Sequence, residues 1–224
     1  MQLHALRHLI ESVQALSRSE RVLVLGSSSL LPLFPDLGEE GGPLTTTFDA
    51  DFLVDPASKE IAEVLLEALG ANSLFESANG YHADIVHPDI THTLPPKWEE
   101  RLVPLAGFSN VFCLDPYDLA AVKIVVGREK DLALVRNLLD LKKIEIGTLR
   151  ERFHSMPLGE RELLRAGKNL AEVRGTEGQG ELRVSVQKLT NPPAQRGSVT
   201  NKNHPRACSE EPHDLRPVTG PTWR

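Results

Sequence analysis

Apolar side chains recur at Leu3, Leu6, Leu9, Ile10, Val13 and Leu16, the spacing of one helix face. The first segment is therefore expected to be an amphipathic helix laid on a sheet and ended by Ser17 to Glu20. The period then changes. Val22 to Leu25 is a short apolar run stopped at Gly26-Ser27, a first strand and its turn, and Ser28 to Phe34 reads as a short helix halted by Pro35. A second strand is expected from Thr45 to Val54. Pro56 opens a helix with Ile61, Val64, Leu65, Ala68 and Leu69 at helical spacing and Gly70 as its C-cap. Tyr81 to Val86 is the next strand, which gives a βαβ-like order. Leu102 to Ala106 and Val111 to Leu114, separated by Gly107, read as a hairpin that extends the sheet. Asp115-Pro116 begins the longest helical region, whose apolar faces run from Leu119 to Val126 and from Leu132 to Leu141 with a bend at Gly127. Thr148 to His154 makes one more short helix.

These elements give an α/β (α+β) fold: a small mixed sheet flanked by helices and followed by a helical pair. Residues 1–165 form the domain, with its core in 6–141. From about Gly167 the composition turns to Gly, Pro, Asn, Thr and Arg, so 166–224 is expected to be a low-order tail. A chain of 224 residues that is 40% hydrophobic and 25% charged suits one domain with an appendage. Its net charge of −6 argues against coating nucleic acid by charge alone. Cys113 and Cys208 suggest neither a disulfide framework nor a zinc site. With no long apolar stretch and no signal-peptide layout, a soluble cytoplasmic protein without membrane partners is expected.

Candidate chemistry gathers around the second strand. Asp49 and Asp51 stand two residues apart, so both carboxylates leave one face while Phe48, Ala50 and Phe52 point into the opposite, apolar layer. Two anions so close repel unless a cation lies between them, and a magnesium-type ion prefers such hard oxygen ligands. Gly26 lets the backbone approach a phosphate, and Ser27 and Ser28 have hydroxyls and amides that donate to phosphate oxygens; the plainer reading is a strand-to-helix turn with a serine cap. Asp84, in the third strand, shares a face with His82 and Val86. His82, Asp84, His87, Asp89 and His92 invite a transition-metal reading, but Pro88, Pro95 and Pro96 break any helix that could align them. Lys123, Arg128 and Lys130 are the cations available to a phosphate; otherwise Lys123 and Arg128 pair with Asp118 or Asp131 on a solvated helix face. Trp98 reads as a packing residue over the sheet edge.

The Gly26-Ser27 turn followed by Asp49-x-Asp51 resembles the signature of the nucleotidyltransferase superfamily that includes DNA polymerase beta. Asp118-Leu-Ala-Ala-Val-Lys123 and Gly127-Arg128-Glu129-Lys130-Asp131 resemble the later motif of AbiEii-type and related uncharacterised bacterial nucleotidyltransferases. The resemblance runs over about Leu6 to Leu141. Gly38 to Pro43 departs from it as an inserted loop in a longer than usual Ser28 to Phe48 segment. It implies a cytoplasmic enzyme that moves a nucleoside monophosphate from an NTP to an acceptor hydroxyl with Mg²⁺ or Mn²⁺. It further implies Asp49, Asp51 and Asp84 as the metal-binding and catalytic carboxylates, and Gly26, Ser27, Ser28, Lys123 and Arg128 as the nucleotide-binding residues. In a toxin-type enzyme the acceptor is RNA or protein and an antitoxin is the partner. The alternative is a catalytically silent module of the same fold that binds a protein or nucleic acid. A basic groove beside the site would favour an RNA acceptor over a small molecule.

Overall fold

The computed structural model describes residues 1–173. Along them run α1 (Leu3–Ser17), β1 (Arg21–Val24), β2 (Asp49–Asp55), α2 (Lys59–Leu69), α3 (Leu74–Asn79), β3 (His82–Ile85), β4 (Val103–Pro104), β5 (Val111–Cys113), α4 (Pro116–Val126), α5 (Glu129–Asp140), α6 (Ile146–His154) and α7 (Glu160–Val173). The strands form one mixed sheet in the order β3-β2-β1-β5-β4. β1 is antiparallel to β2 and parallel to β5, β2 and β3 are parallel, and β4 and β5 make the expected hairpin. Val22, Leu23 and Val24 are all buried, as a strand covered on both faces requires. β2 differs along its length: Phe52 to Val54 are buried throughout, while at its start buried Ala50 lies between two half-buried aspartates. That first half is the part of the sheet with a face free for chemistry.

Three expected boundaries move, each for a local reason. β2 begins at Asp49, because Thr45 to Thr47 close turns in which Thr45 N–H donates to Gly42 and Thr47 N–H to Leu44. Phe48 consequently sits outside the apolar layer, 57% exposed. α2 begins at Lys59 rather than at Pro56, since Ser58 accepts from the Ile61 N–H at 3.1 Å and so caps the helix. Ser28 to Phe34 becomes a 3-10 turn over Ser27–Leu30, and a second 3-10 turn follows over Pro35–Gly38. α3, too short to show a period, was not foreseen.

The last correction concerns the tail. α7 continues past residue 165 to Val173 and buries Ala166, Leu170 and Val173. Asn169 Nδ2 donates to the Ile124 carbonyl at 2.8 Å, and Arg136 pairs with Glu172. Residues 166–173 therefore belong to the folded body; the rest of the expected tail lies outside the described residues. Gly127, in the left-handed region at φ +69°, ends α4, and a Cβ there would lie 2.3 Å from Asn169 Nδ2. The close packing of α7 and the bend after α4 thus both depend on this glycine.

α4 packs against α5, α6 and α7. Asp118, fully buried in α4, accepts from Arg101 Nε at 3.0 Å and Nη2 at 3.1 Å and also pairs with Arg152. One carboxylate so ties the segment before β4, α4 and α6 together. Among the described residues no helix is long and apolar enough to cross a membrane.

Candidate active site

The register of β2 and β3 builds an acidic face from the backbone up. Asp49 stands opposite His82, Ala50 opposite Ala83 and Asp51 opposite Asp84. Ala50 and Ala83 are fully buried, so Asp49, Asp51, His82 and Asp84 share the other face. Adjacent strands lie about 4.8 Å apart, which makes Asp84 the direct cross-strand neighbour of Asp51. Burial, then the charges of Asp49 and Asp84, push the Asp51 carboxyl up to about 6, and Lys123 and Arg128 pull it back only in part. Asp84 is also raised, first by its burial, against the pull of His82.

Gly26 is fixed by this carboxylate. A Cβ at position 26 would lie 1.7 Å from Asp51 Oδ2, so only glycine lets the end of β1 lie against Asp51. The Asp51 carbonyl in turn accepts from the Leu25 N–H at 3.0 Å. Ser28 does not have the position expected of a phosphate donor: its side chain is buried, and its hydroxyl donates to the Asp49 carbonyl at 2.9 Å. It anchors the turn to β2. Ser27 is half-buried at the start of the 3-10 turn, directly after Gly26.

Lys123 and Arg128 come to this face from the helical half. Lys123 Nζ donates to Asp131 Oδ1 at 2.7 Å and Arg128 Nε to Asp131 Oδ2 at 2.6 Å. Asp131 is 1% exposed and Lys123 only 9%, so this is a buried network and not the solvated helix face of the plainer reading. Burial would raise the Asp131 carboxyl, but hydrogen bonds from Arg128 and Lys123 outweigh it and hold it below the usual range. The pairing of Lys123 and Arg128 with Asp131 is thus the one the plainer reading named, while the burial of Asp131 and Lys123 is what it did not anticipate.

The histidines form no cluster. His87 Nδ1 turns to Asp89 at 3.2 Å, whereas His82 lies between Glu76, 2.7 Å from Nδ1, and Asp84, 3.8 Å from Nε2. Among the described residues no three His, Cys, Asp or Glu side chains converge into a metal cage. The donor set still fits a magnesium-type ion. Asp49 and Asp51 are hard oxygen donors on one strand face, Asp51 is held in an excess of negative charge that a dication relieves, and such an ion takes as few as one or two protein carboxylates beside water and phosphate.

The family model described as "Nucleotidyltransferase of unknown function (DUF6036)" matches residues 2–163. No curated protein and no solved structure matches the chain.

Proposed function

Because the chain belongs to this family of nucleotidyltransferases of unknown function, we propose that it transfers a nucleoside monophosphate from an NTP to an acceptor hydroxyl at the face carrying Asp49, Asp51 and Asp84. The observation that carries this reading is the convergence on Asp51. Gly26 lies against its carboxylate, Asp84 stands opposite it, and Lys123 and Arg128 act on its charge. The silent module would be favoured by an Asp84 remote from the pair, and the register puts it next to Asp51.

Asp49 and Asp51 would hold the divalent ion. When bound, the ion supplies charge neutralisation for the triphosphate and the leaving pyrophosphate. Ser27 and the backbone beside Gly26 bind phosphate oxygens, and Lys123 and Arg128, oriented by Asp131, offset the charge of the leaving group. The acceptor oxygen forms a bond to the α-phosphorus as the bond from that phosphorus to the bridging oxygen breaks. The bonding pair leaves on pyrophosphate. The hydroxyl proton passes to the Asp84 carboxylate; a second ion, were one to bind, would be held by Asp84.

The test is titration calorimetry of each NTP with Mg²⁺ and Mn²⁺ on wild type and on Asp49→Asn, paired with transfer of α-phosphorus label. Ion-dependent NTP binding and transfer, both lost in the variant, are expected. Wild type that binds no NTP at millimolar concentration would sink the proposal.

A further inference from the structure

α1 carries a histidine pair that the acidic face does not use. His4 and His8 stand four residues apart on a helix of 15 residues, so their Cβ atoms lie about 5 to 6 Å apart on one face. Both are exposed, while Ala5, Leu6, Leu9, Ile10 and Val13 are buried on the opposite side. That buried stripe fixes how the helix is turned and keeps the pair toward solvent. Two imidazoles at this separation can close on one ion without unwinding the helix, as the histidines of an HExxH helix close on zinc.

The two rings are held differently. His8 Nδ1 lies 2.7 Å from the Tyr81 hydroxyl. The His8 ring also packs against Phe75, with centroids 5.3 Å apart, and meets the Tyr81 ring edge-on at 6.2 Å. In the tautomer that donates Nδ1–H to the phenol oxygen, Nε2 presents a lone pair. A partner at one ring nitrogen thus orients the other as a ligand. His4 makes no hydrogen bond, ion pair or ring contact among the described residues. It lines a cavity of about 360 Å³ in whose wall Tyr81 also stands. Tyr81 is therefore bonded to one histidine and shares a cavity with the other, and the cavity leaves room for water to complete a coordination shell.

The donors decide which ion fits. Neutral imidazole nitrogens suit Zn²⁺, Ni²⁺ and Cu²⁺, whereas Mg²⁺ takes hard oxygens. Glu11, exposed three residues beyond His8, adds negative charge to the same face. Tyr81 directly precedes His82, the register partner of Asp49, so strand alternation turns it to the face away from the carboxylates. The pair and the acidic face thus stand on opposite sides of the sheet and differ in ligand chemistry. We propose that His4 and His8 form a binding site for one borderline transition-metal dication of the Zn²⁺ or Cu²⁺ kind, with Tyr81 as the positioning residue that orients His8. This site is independent of the nucleotidyltransferase reading.

The experiment is titration calorimetry of Zn²⁺ and of Cu²⁺ into the full chain with Mg²⁺ in large excess. One equivalent of each ion is expected, with Cu²⁺ the tighter. His4→Ala and His8→Ala, both at exposed positions, should each weaken that equivalent at least about tenfold, and Tyr81→Phe, which removes the orienting phenol, about tenfold. The double variant His8→Ala with Ser12→His keeps the number of histidines but parts them by about 12 Å along the helix, and should bind as weakly as His8→Ala alone. Wild type that binds neither ion at submillimolar concentration overturns the site. So do single histidine variants that bind as tightly as wild type, or a double variant that does, because binding then does not depend on the spacing of the pair. Loss in the histidine variants with Tyr81→Phe unchanged overturns the role of Tyr81 alone.

Discussion

Asp51 stands where three opposing requirements meet. It must lie against Gly26, face Asp84 across the strands and remain able to carry charge. Its carboxyl, pushed up to about 6 from 3.8 by burial and by Asp49 and Asp84, binds a proton more tightly in the folded than in the unfolded chain. The fold therefore gains from protonation, and that gain is lost as pH rises. The difference between 3.8 and about 6 corresponds to about 3 kcal/mol, a cost absent below about pH 4 and complete above about pH 6. Urea unfolding without divalent ions should find Asp51→Asn more stable than wild type at pH 7, with the gap closing toward pH 4. Mg²⁺ should narrow the gap at pH 7 by stabilising only the wild type. Equal pH profiles for the two proteins would mean that Asp51 is not strained by its neighbours. Gly26→Ala tests the same contact sterically: its methyl must displace the Asp51 carboxylate, so ion-dependent NTP binding should vanish in calorimetry while the variant still folds.

At the scale of elements, α7 separates what the sequence disclosed from what it withheld. Strands with pure apolar runs, such as Val22 to Val24, and long helices with capping residues, such as α4 behind Asp115-Pro116, were legible because their signals are local. So was the Asp-x-Asp pair, since strand alternation alone puts both carboxylates on one face. The helical spacing of Leu163, Ala166, Leu170 and Val173 was a local signal too, outweighed by the polar composition that sets in near Gly167; the surface that receives this face, where α4 offers Gly127 and the Ile124 carbonyl, was not legible. The strand start at Asp49 was hidden similarly, because Thr45 to Thr47 have good strand propensity but are committed to turns closed by Gly42 and Leu44. If α7 is part of the folded body, Leu170→Ala should cost roughly 2 to 5 kcal/mol in urea unfolding. A cost within about 0.5 kcal/mol, the range of surface substitutions, would return α7 to the tail.

At the scale of the whole molecule the carboxylates belong to the sheet and the cations to the helical half, so the site exists only while the two are held in register. Asp118 supplies one of the ties, through Arg101 from the segment before β4 and Arg152 from α6. Lys123 is a poor probe of phosphate binding, since its removal also breaks a buried pair with Asp131. Arg128 is the better one: its side chain is 52% exposed, and Asp131 keeps Lys123 when Arg128 is gone. Arg128→Gln should therefore weaken NTP binding by roughly 1 to 3 kcal/mol, the value of a charge-assisted hydrogen bond, and change stability by no more than about 1 kcal/mol. Asp118→Ala, which strips a buried carboxylate from two guanidinium groups, should do the opposite, costing about 3 to 5 kcal/mol of stability. The NTP affinity of its folded fraction should follow only the loosening between the halves. Calorimetry and urea unfolding on both variants decide the matter. An Arg128→Gln protein that binds NTP as tightly as wild type would remove Arg128 from the phosphate site and leave it only the task of holding Asp131.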